Sequence, residues 1–448
     1  MGFVKNLLFG ISSLAILLYI ILEAYFGRTI SLKAAPVVKK FESTLHKPAL
    51  ILTLRILSYF PLAVLIVDLI IVYFRGKLRF IGVVFYLIHV YFVTSIMQML
   101  YREPKPYFES TGYLGYAECC NFGYSDPSEH VLLAVIASYF FIKELFVRKN
   151  PDFEMLETWK KVCLIISLVM CIILTVIVLI ARLYLGTNYL NQVFFGLALG
   201  LYLIFLHSFC LKELFKIMLR WIESQIRHKE NLLMFWWLFL IYNSLGCVPI
   251  FIHLFYRPPV PVISKWEKNI SENCKKDTII SANLIGSNSG YNAVWIFGIV
   301  AYILATFTYR KTLASKEDYP PIENDKIWKK IIKLIIIATT CGGIIVGFFY
   351  FNFQNFFMKY FLSGFLPLYL VIFIYQWILP WLFRKLDLLQ IDDTIDEKRF
   401  YMSSKPVFSP LYFPFSFRGK AWRGYGIFLK FLIIHFSYFH QKTYFNTI

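Results

Sequence analysis

Charged residues are scarce in this chain of 448 residues: Asp, Glu, Lys and Arg together make up 16% of it. Acidic residues are the scarcer kind, 27 against 46 basic ones, which leaves a net charge of +19. Hydrophobic residues make up 58%, and the mean hydropathy is +0.61. Such a composition is too apolar for a soluble fold. It predicts an all-α, polytopic transmembrane helical bundle.

The chain also lacks the patterns typical of metalloproteins and of nucleic-acid-binding proteins. Its eight cysteines are scattered, and no Cys or His spacing resembles a metal site. We therefore expect no metal and no cofactor. No soluble domain carries basic residues interleaved with stacking aromatic residues, so we also expect no nucleic-acid partner. The positive charge is assigned to membrane orientation and to contact with anionic lipids.

Long apolar runs dominate the sequence, and a helix crosses a bilayer with about 20 mostly apolar residues. About ten spans are predicted, with an error of one or two. They lie near 7–26, 49–74, 79–100, 129–147, 162–181, 190–211, 231–256, 291–309, 331–351 and 357–383. The first run has no small-residue cleavage site behind it, so it is interpreted as an uncleaved signal anchor.

Basic residues predict the orientation. They concentrate in the loops at 75–78, 148–161, 212–230 and 310–330, which share one side if the spans alternate. The positive-inside rule places this side and both termini in the cytosol, and the other side in the lumen, most simply that of the endoplasmic reticulum or another endomembrane. On the luminal side Asn269-Ile270-Ser271 matches a glycosylation sequon. There Cys274 either pairs with Cys119 or Cys120, or all three stay free thiols.

The chain is predicted to contain four regions. They are an anchor and loop at 1–48, a transmembrane core at 49–211, a second helical block at 212–383 and a cytosolic tail at 384–448. Residues 257–290 are interpreted as a loop within the second block, because they are polar and begin with a proline-rich run. In the tail, the apolar run 427–439 is too short to span, so it is placed at the membrane interface.

Three polar segments lie beside apolar spans of the core, and all fall on the predicted luminal side. The segments are Gln98–Pro106, Asp126–His130 and Ala181–Gln192. In order and spacing they resemble the three motifs of the type 2 phosphatidic acid phosphatase (PAP2) superfamily. That family cleaves phosphate monoesters with a histidine nucleophile, through Lys-x6-Arg-Pro, Pro-Ser-Gly/Thr-His and Ser-Arg-x5-His-x3-Asp. Within the first segment, Arg102–Pro106 resembles the motif of sphingoid-base phosphate phosphatases, and Tyr107, which follows it, resembles that of glucose-6-phosphatases.

The resemblance implies that the groups needed for catalysis are missing. Asn188 stands where the family has its nucleophile, and Gln192 where it has the orienting aspartate. Gln98 replaces the motif lysine. The spacing is intact, with six residues from Arg182 to Asn188 and four more to Gln192. The lone pair of an amide nitrogen is delocalised into the carbonyl, so Asn188 cannot form a phosphoenzyme. Loss of a covalent nucleophile costs several orders of magnitude in rate.

The same resemblance implies that part of a phosphate site remains. His130 matches the family's leaving-group acid, and Glu129 replaces a small residue beside it. That carboxylate would repel a substrate dianion by roughly 4 kcal/mol at 4 Å in an effective dielectric of about 20. The expected phosphate-binding positions are Gln98, Lys105, Ser128, Glu129 and Arg182. The alternative without a functional site is that the Arg182 side chain extends to the membrane interface and that His130 lies at the start of a helix.

The leading hypothesis is an inactive PAP2 homologue that binds a phospholipid or a phosphorylated headgroup, or that serves as a membrane subunit. One alternative is an active lipid- or sugar-phosphate phosphatase in which another residue, such as His46, is the nucleophile. Others are a structural subunit of a larger membrane complex, a lipid translocator, or a polytopic protein with chance matches. The sequence does not separate these hypotheses.

Overall fold

The protein is helical throughout the part of the chain that can be described. The computed structural model describes residues 48–75, 77–109, 123–147, 158–208, 232–255, 260–274, 288–312, 326–349 and 358–386, with scattered residues elsewhere, most of them between 10 and 40. None of these residues lies in a strand. The predicted all-α class is confirmed. The alternative nucleophile His46, the tail 384–448 beyond its first few residues, and the cysteines of the possible luminal pair lie outside the described side chains.

Twelve α-helices are described. They are α1 (Pro48–Arg75), α2 (Lys77–Tyr101), α3 (Pro106–Glu109), α4 (Glu129–Ile142), α5 (Thr158–Tyr184), α6 (Leu190–Leu206), α7 (Leu232–Phe255), α8 (Val260–Cys274), α9 (Ile296–Thr312), α10 (Ile327–Phe349), α11 (Leu366–Phe373) and α12 (Leu379–Lys385). A π-helical turn extends α4, two more flank α11, and a 3₁₀ turn at Tyr291–Trp295 precedes α9.

Six helical segments of the described chain are long and apolar enough to cross a membrane. They are Ala49–Phe74, Phe80–Glu109, Lys161–Tyr184, Trp236–Phe255, Asn288–Ala305 and Ile327–Phe348. Each overlaps a predicted span. Shorter apolar helices at Leu190–Leu206 and Lys359–Phe373 overlap two further predicted spans. The helices thus support an integral membrane protein, while the total of ten spans stays a prediction.

Helix α4 forms the centre of the core region and packs against α1, α5 and α6. Residues 131–137 are all buried, which fits a helix that is apolar on every face. Helix α6 approaches α4 closely at two glycines. A Cβ on Gly200 would lie 3.2 Å from Val135, and one on Gly196 would lie 2.5 Å from the backbone oxygen of Ser128. The glycines therefore let α6 lie directly against the segment that begins α4.

The second block folds back onto the core. Helix α9 packs against α7 and α11, and the 3₁₀ turn before it packs against α2. The interpretation of 257–290 as a loop is wrong in part, because Val260–Cys274 forms helix α8. Proline in the first turn of a helix is tolerated, and Val262, Trp266 and Ile270 recur at helical spacing. These three side chains pack in a cluster with Tyr189 of the third motif segment and with residues that adjoin the other two segments, namely Tyr107, Phe108 and Tyr124.

Helix α8 is hydrogen-bonded to the short helix α3, which begins at Pro106, the last residue of the first motif segment. Asn269 Nδ2 donates to the backbone oxygen of Phe108 at 2.7 Å, and Asn273 Nδ2 donates to that of Tyr107 at 2.8 Å. Carbonyls at a helix end have no partner in the helix itself, so these amides satisfy them. The side chain of the sequon residue Asn269 is buried and already engaged in this contact.

Candidate functional site

The structure brings the three motif segments together at one end of the core helices. Gln98 Nε2, near the end of α2, donates to the backbone oxygen of Pro127 at 3.2 Å. The backbone N–H of Ser128 donates to the backbone oxygen of Gln192 at 3.0 Å. Gln192 Nε2 donates in turn to the backbone oxygen of Pro104 at 3.1 Å. Each motif is therefore hydrogen-bonded to the other two.

A tight turn between α5 and α6 positions the third motif. Gly186 has φ 62°, in the left-handed region where a side chain is disfavoured, so glycine suits this position. Thr187 donates both its backbone N–H and its hydroxyl to the backbone oxygen of Arg182, at 3.1 and 2.9 Å. The turn reverses the chain within a few residues, so that Arg182 and Asn188 face each other across it.

Asn188, which the motif resemblance predicts to occupy the nucleophile position, joins two neighbouring segments by hydrogen bonds. Its Oδ1 accepts a hydrogen bond from Arg182 Nε at 2.9 Å, and its Nδ2 donates to the backbone oxygen of Ser125 at 2.9 Å. The side chain is 1% exposed. A single amide supplies both a donor and an acceptor here. A carboxylate would lack the donor, and an imidazole would need a different arrangement of both partners.

Gln192, which the motif resemblance predicts to occupy the position of the orienting aspartate, forms more hydrogen bonds than Asn188. Its Oε1 accepts from Ser125 Oγ at 2.7 Å and from the backbone N–H of Tyr189 at 2.9 Å, while Nε2 reaches Pro104 as described. The contact with Tyr189 caps the first turn of α6. An aspartate is shorter and has no N–H, so it could not make the contact with Pro104. This amide suits a structural role, and none of its hydrogen bonds within the described part of the chain goes to His130 or Asn188.

The remaining charged residues form a group beside this network. Lys105 is buried and Arg182 is half-buried, and both cations act electrostatically on Glu129 and His130. His130 packs edge-on against the ring of Tyr59, with 5.4 Å between centroids. The motif segments thus place two basic side chains close enough to act on a carboxyl group and an imidazole.

Glu129 is held by the second block. Asn292 Nδ2 lies 3.2 Å from each of its carboxylate oxygens and donates to them. A second contact between the blocks lies close by, where the backbone N–H of Tyr124 donates to Ser289 Oγ at 2.6 Å. Sequence reasoning missed Asn292, Ser289 and Ser125. The sequence offers one weak signal, which is that 287–291, like the segment that contains Pro127 and Ser128, precedes a helix.

Asp126 is the site's most unusual carboxyl. It is fully buried, and neither of its oxygens has a hydrogen-bond partner within the described part of the chain. Burial raises the pKa of Asp126 well above its usual range, and the nearby charges of Glu23 and Glu103 raise it further. The carboxyl is therefore most stable in the protonated form. No group of three or more His, Cys, Asp or Glu side chains among the described residues could hold a metal ion.

Comparison with known proteins agrees with the motif resemblance. Residues 79–216 match the model of the PAP2 superfamily. The match covers less than a third of the chain, and it includes all three motif segments and the helices α2 to α6 that carry them. No curated protein and no solved structure matches the chain. The PAP2-matching part is thus a helical membrane-type core whose motif residues converge at one end.

Proposed function

We propose that this protein is a PAP2-fold membrane protein without phosphatase activity, which binds a phosphorylated lipid or headgroup through Lys105, Arg182 and His130. The observation that carries the proposal is the hydrogen bonding of Asn188 and Gln192. Both amides are buried and use their donors and acceptors to join the three motifs. These positions serve the fold, and neither side chain can attack phosphorus.

The retained cations support the binding role. Lys105 is a buried cation, and a lysine in such a position is suited to meet a phosphate group that enters the site. Lys105, Ser128 and Arg182 belong to the first, second and third motif segments, which hydrogen bonds bring together at one end of the core helices. A headgroup phosphate that approaches from the membrane surface would meet both cations and could accept hydrogen bonds from them.

The placement of the protein in the cell and its branch of the family belong to the same proposal. The distribution of basic residues favours termini in the cytosol and the motif end in the lumen, most simply of the endoplasmic reticulum. Residues 102–107 favour the branch of sphingoid-base phosphate phosphatases and glucose-6-phosphatases. A role as a membrane subunit is compatible with this location and this branch, and co-purification of partners at fixed stoichiometry would support it.

The test is phosphate release by the purified full-length protein. The substrates are lysophosphatidate, phosphatidate, a sphingoid-base phosphate and glucose-6-phosphate, and His130→Ala is the control. We expect no release above that control. Release that depends on His130 would mean that a nucleophile other than residue 188 operates, and the proposal of an inactive homologue would be wrong.

A further inference from the structure

Lys359, in the second block, is a half-buried cation with two neutral partners. Its Nζ donates to Asn288 Oδ1 and lies 5.7 Å from the centroid of the Tyr291 ring. Within the described part of the chain Lys359 forms no ion pair. An amide oxygen and an aromatic face both stabilise an ammonium group, but neither supplies a full negative charge to balance it. Lys359 is therefore suited to bind an anion.

The turn that carries this lysine is fixed against the 3₁₀ turn before α9. It is the π-helical turn Lys359–Phe365, which precedes α11. Tyr291 Oη donates to the backbone oxygen of Ser363 at 2.8 Å. A Cβ on Gly364 would lie 2.7 Å from the side chain of Val294, so the two turns are in direct contact. The position of the lysine is thus set by packing within the second block.

The same stretch of chain also reaches the motif site. Asn288, which contacts Lys359, and Asn292 belong to one helical stretch, 288–295. Asn292 Nδ2 lies 3.2 Å from each carboxyl oxygen of Glu129, in the second motif segment. Residues four apart in a helix lie on the same side of it, with about 5–6 Å between their Cβ atoms. Lys359 and Glu129 therefore approach one side of this stretch, about one helical turn apart.

Two cations of the motif segments act on the same carboxyl group. Lys105 and Arg182 both act electrostatically on Glu129, so they lie near it on the side of the core. Lys359 approaches from the side of the second block. Three basic side chains thus converge on the region around Glu129, and Lys359 is the one that lies outside the PAP2-matching residues 79–216.

We infer that Lys359 is a phosphate-binding residue of this site and that the second block thereby completes the site. The inference rests on the proposed function, because it names a further residue that contacts the same phosphorylated ligand. The unbranched side chain of lysine lets the ammonium group turn from Asn288 to a phosphate oxygen. The hydrogen bond that it then donates joins two ionised groups, and such bonds are roughly twice as strong as those between neutral groups. The PAP2-matching part alone lacks this contact.

The experiment measures how much the charge of Lys359 contributes to binding of a phosphate group. Dihexanoyl phosphatidate, a short-chain phosphomonoester lipid, is titrated into the purified full-length protein in detergent at pH 7.0. Dihexanoylglycerol, the same lipid without its phosphate, is titrated in parallel. We expect Lys359→Gln to weaken phosphatidate binding at least tenfold and to leave dihexanoylglycerol within threefold of the wild type. Lys359→Arg keeps the charge and should bind phosphatidate within threefold of the wild type.

Two controls separate this contact from an effect on folding. Lys268→Gln removes an exposed lysine from α8 and should leave both affinities unchanged. The thermal midpoint of ligand-free Lys359→Gln should not fall, because the variant no longer buries a charge. The rise in midpoint that phosphatidate causes should be smaller in this variant than in the wild type, because a ligand that binds the folded state stabilises it according to its affinity.

Inorganic phosphate, added as a competitor, distinguishes the two sources of the phosphate group. Displacement of phosphatidate from the wild type would show that the site binds phosphate from either source. Retention of phosphatidate would show that the site binds phosphate that is carried by a lipid. Lys359→Gln should weaken the binding of phosphatidate in both cases.

The outcomes distinguish the inference from the proposed function. If Lys359→Gln binds phosphatidate as the wild type does, while Arg182→Gln binds it at least tenfold more weakly, the inference is overturned and the proposed function stands. If Lys359→Gln weakens both lipids equally, Lys359 serves packing and the inference is also wrong. If the wild type binds phosphatidate no more tightly than dihexanoylglycerol, the phosphate is not recognised and the proposed function fails.

Discussion

The side-chain amide of Gln192 donates to the backbone oxygen of Pro104 at 3.1 Å and so joins the start of α6 to the segment that follows α2. The aspartate of the PAP2 motif has no N–H to give, so this contact depends on the departure from the motif. The same is true of Asn188 and the backbone oxygen of Ser125. Under the proposed function, the two residues that replace the catalytic groups of the motif also join the motif segments to one another.

Gln192→Glu tests this structural role. The variant keeps the length and the accepting oxygen but replaces the donor to Pro104 with a second acceptor. Leaving a buried carbonyl without its partner costs about 1–3 kcal/mol, and burying a carboxyl group at this position adds a desolvation cost, so we expect the free energy of unfolding to fall by at least that amount. The measurement is the thermal midpoint in detergent, with Glu272→Gln as a charge-changing surface control. Equal midpoints for the wild type and Gln192→Glu would contradict the role.

Restoring the family's residues tests the ancestry of the site. We expect a variant with Gln98→Lys, Asn188→His and Gln192→Asp to acquire a phosphohistidine when incubated with a labelled phosphomonoester. Adding Glu129→Thr should increase the labelling, because the carboxylate no longer repels the dianion. The same variants without Asn188→His are the control and should stay unlabelled. A folded triple variant that is never labelled would argue against the assignment of Asn188 to the nucleophile position.

Gly196→Ala tests the close approach of α6 to the second motif. The new Cβ would lie 2.5 Å from the backbone oxygen of Ser128, so α6 must move away. Overpacking of this kind costs about 1–3 kcal/mol. Gly343→Ala is the matched control, because nothing lies within 4 Å of its Cβ position in α10, and alanine is favoured over glycine in a helix by about 0.5–1 kcal/mol. Thermal midpoints should move in opposite directions, and parallel shifts would contradict the contact.

Asp126 predicts a pH dependence of stability. Its pKa is raised in the folded protein by burial and by the charges of Glu23 and Glu103. A carboxyl with a raised folded pKa binds its proton more tightly when folded, so the free energy of unfolding falls as pH rises above the unfolded pKa of about 3.9. The fall ends above the folded pKa. The carboxyl therefore destabilises the protein at neutral pH and not at pH 3.

Asp126→Asn removes this contribution. We expect its thermal midpoint, relative to that of the wild type, to be higher at pH 7.5 than at pH 4.5. Each protein's midpoint at pH 7.5 is compared with its own midpoint at pH 4.5, so the effect of burying an amide, which does not depend on pH, cancels. Glu272→Gln, at an exposed position of α8, should leave the pH profile unchanged. Parallel profiles for Asp126→Asn and the wild type would show that Asp126 is ionised in both the folded and the unfolded states.

The sequence predicts most of the core and little of what surrounds its site. Apolar runs locate six helices that are long enough to span, and the motif spacing brings Lys105, Arg182 and Asn188 to one end of the bundle. Both signals are local, since they depend on residues within one helix or one turn. The hydrogen bond by which Gln192 caps the start of α6 is local as well, because it joins Gln192 to Tyr189, three residues earlier in the chain.

Contacts between the blocks were not predictable, because their partners lie far apart in the chain and belong to no motif. Asn292 is 163 residues from Glu129, and Ser289 is 165 residues from Tyr124. Helix α8 was missed for a different reason. Its polar composition and its proline near the start resemble a loop, and only its packing against α3 explains why the helix forms.

The contact between Asn292 and Glu129 also limits how this protein can diverge. A substitution at residue 129 that suits a new headgroup leaves the amide of Asn292 facing an unsuitable neighbour, and a substitution at 292 releases the carboxylate. The two positions are therefore expected to vary as a pair among descendants of this chain. Inheritance of the PAP2-matching segment without the second block would leave the site without the residue that holds its negative charge.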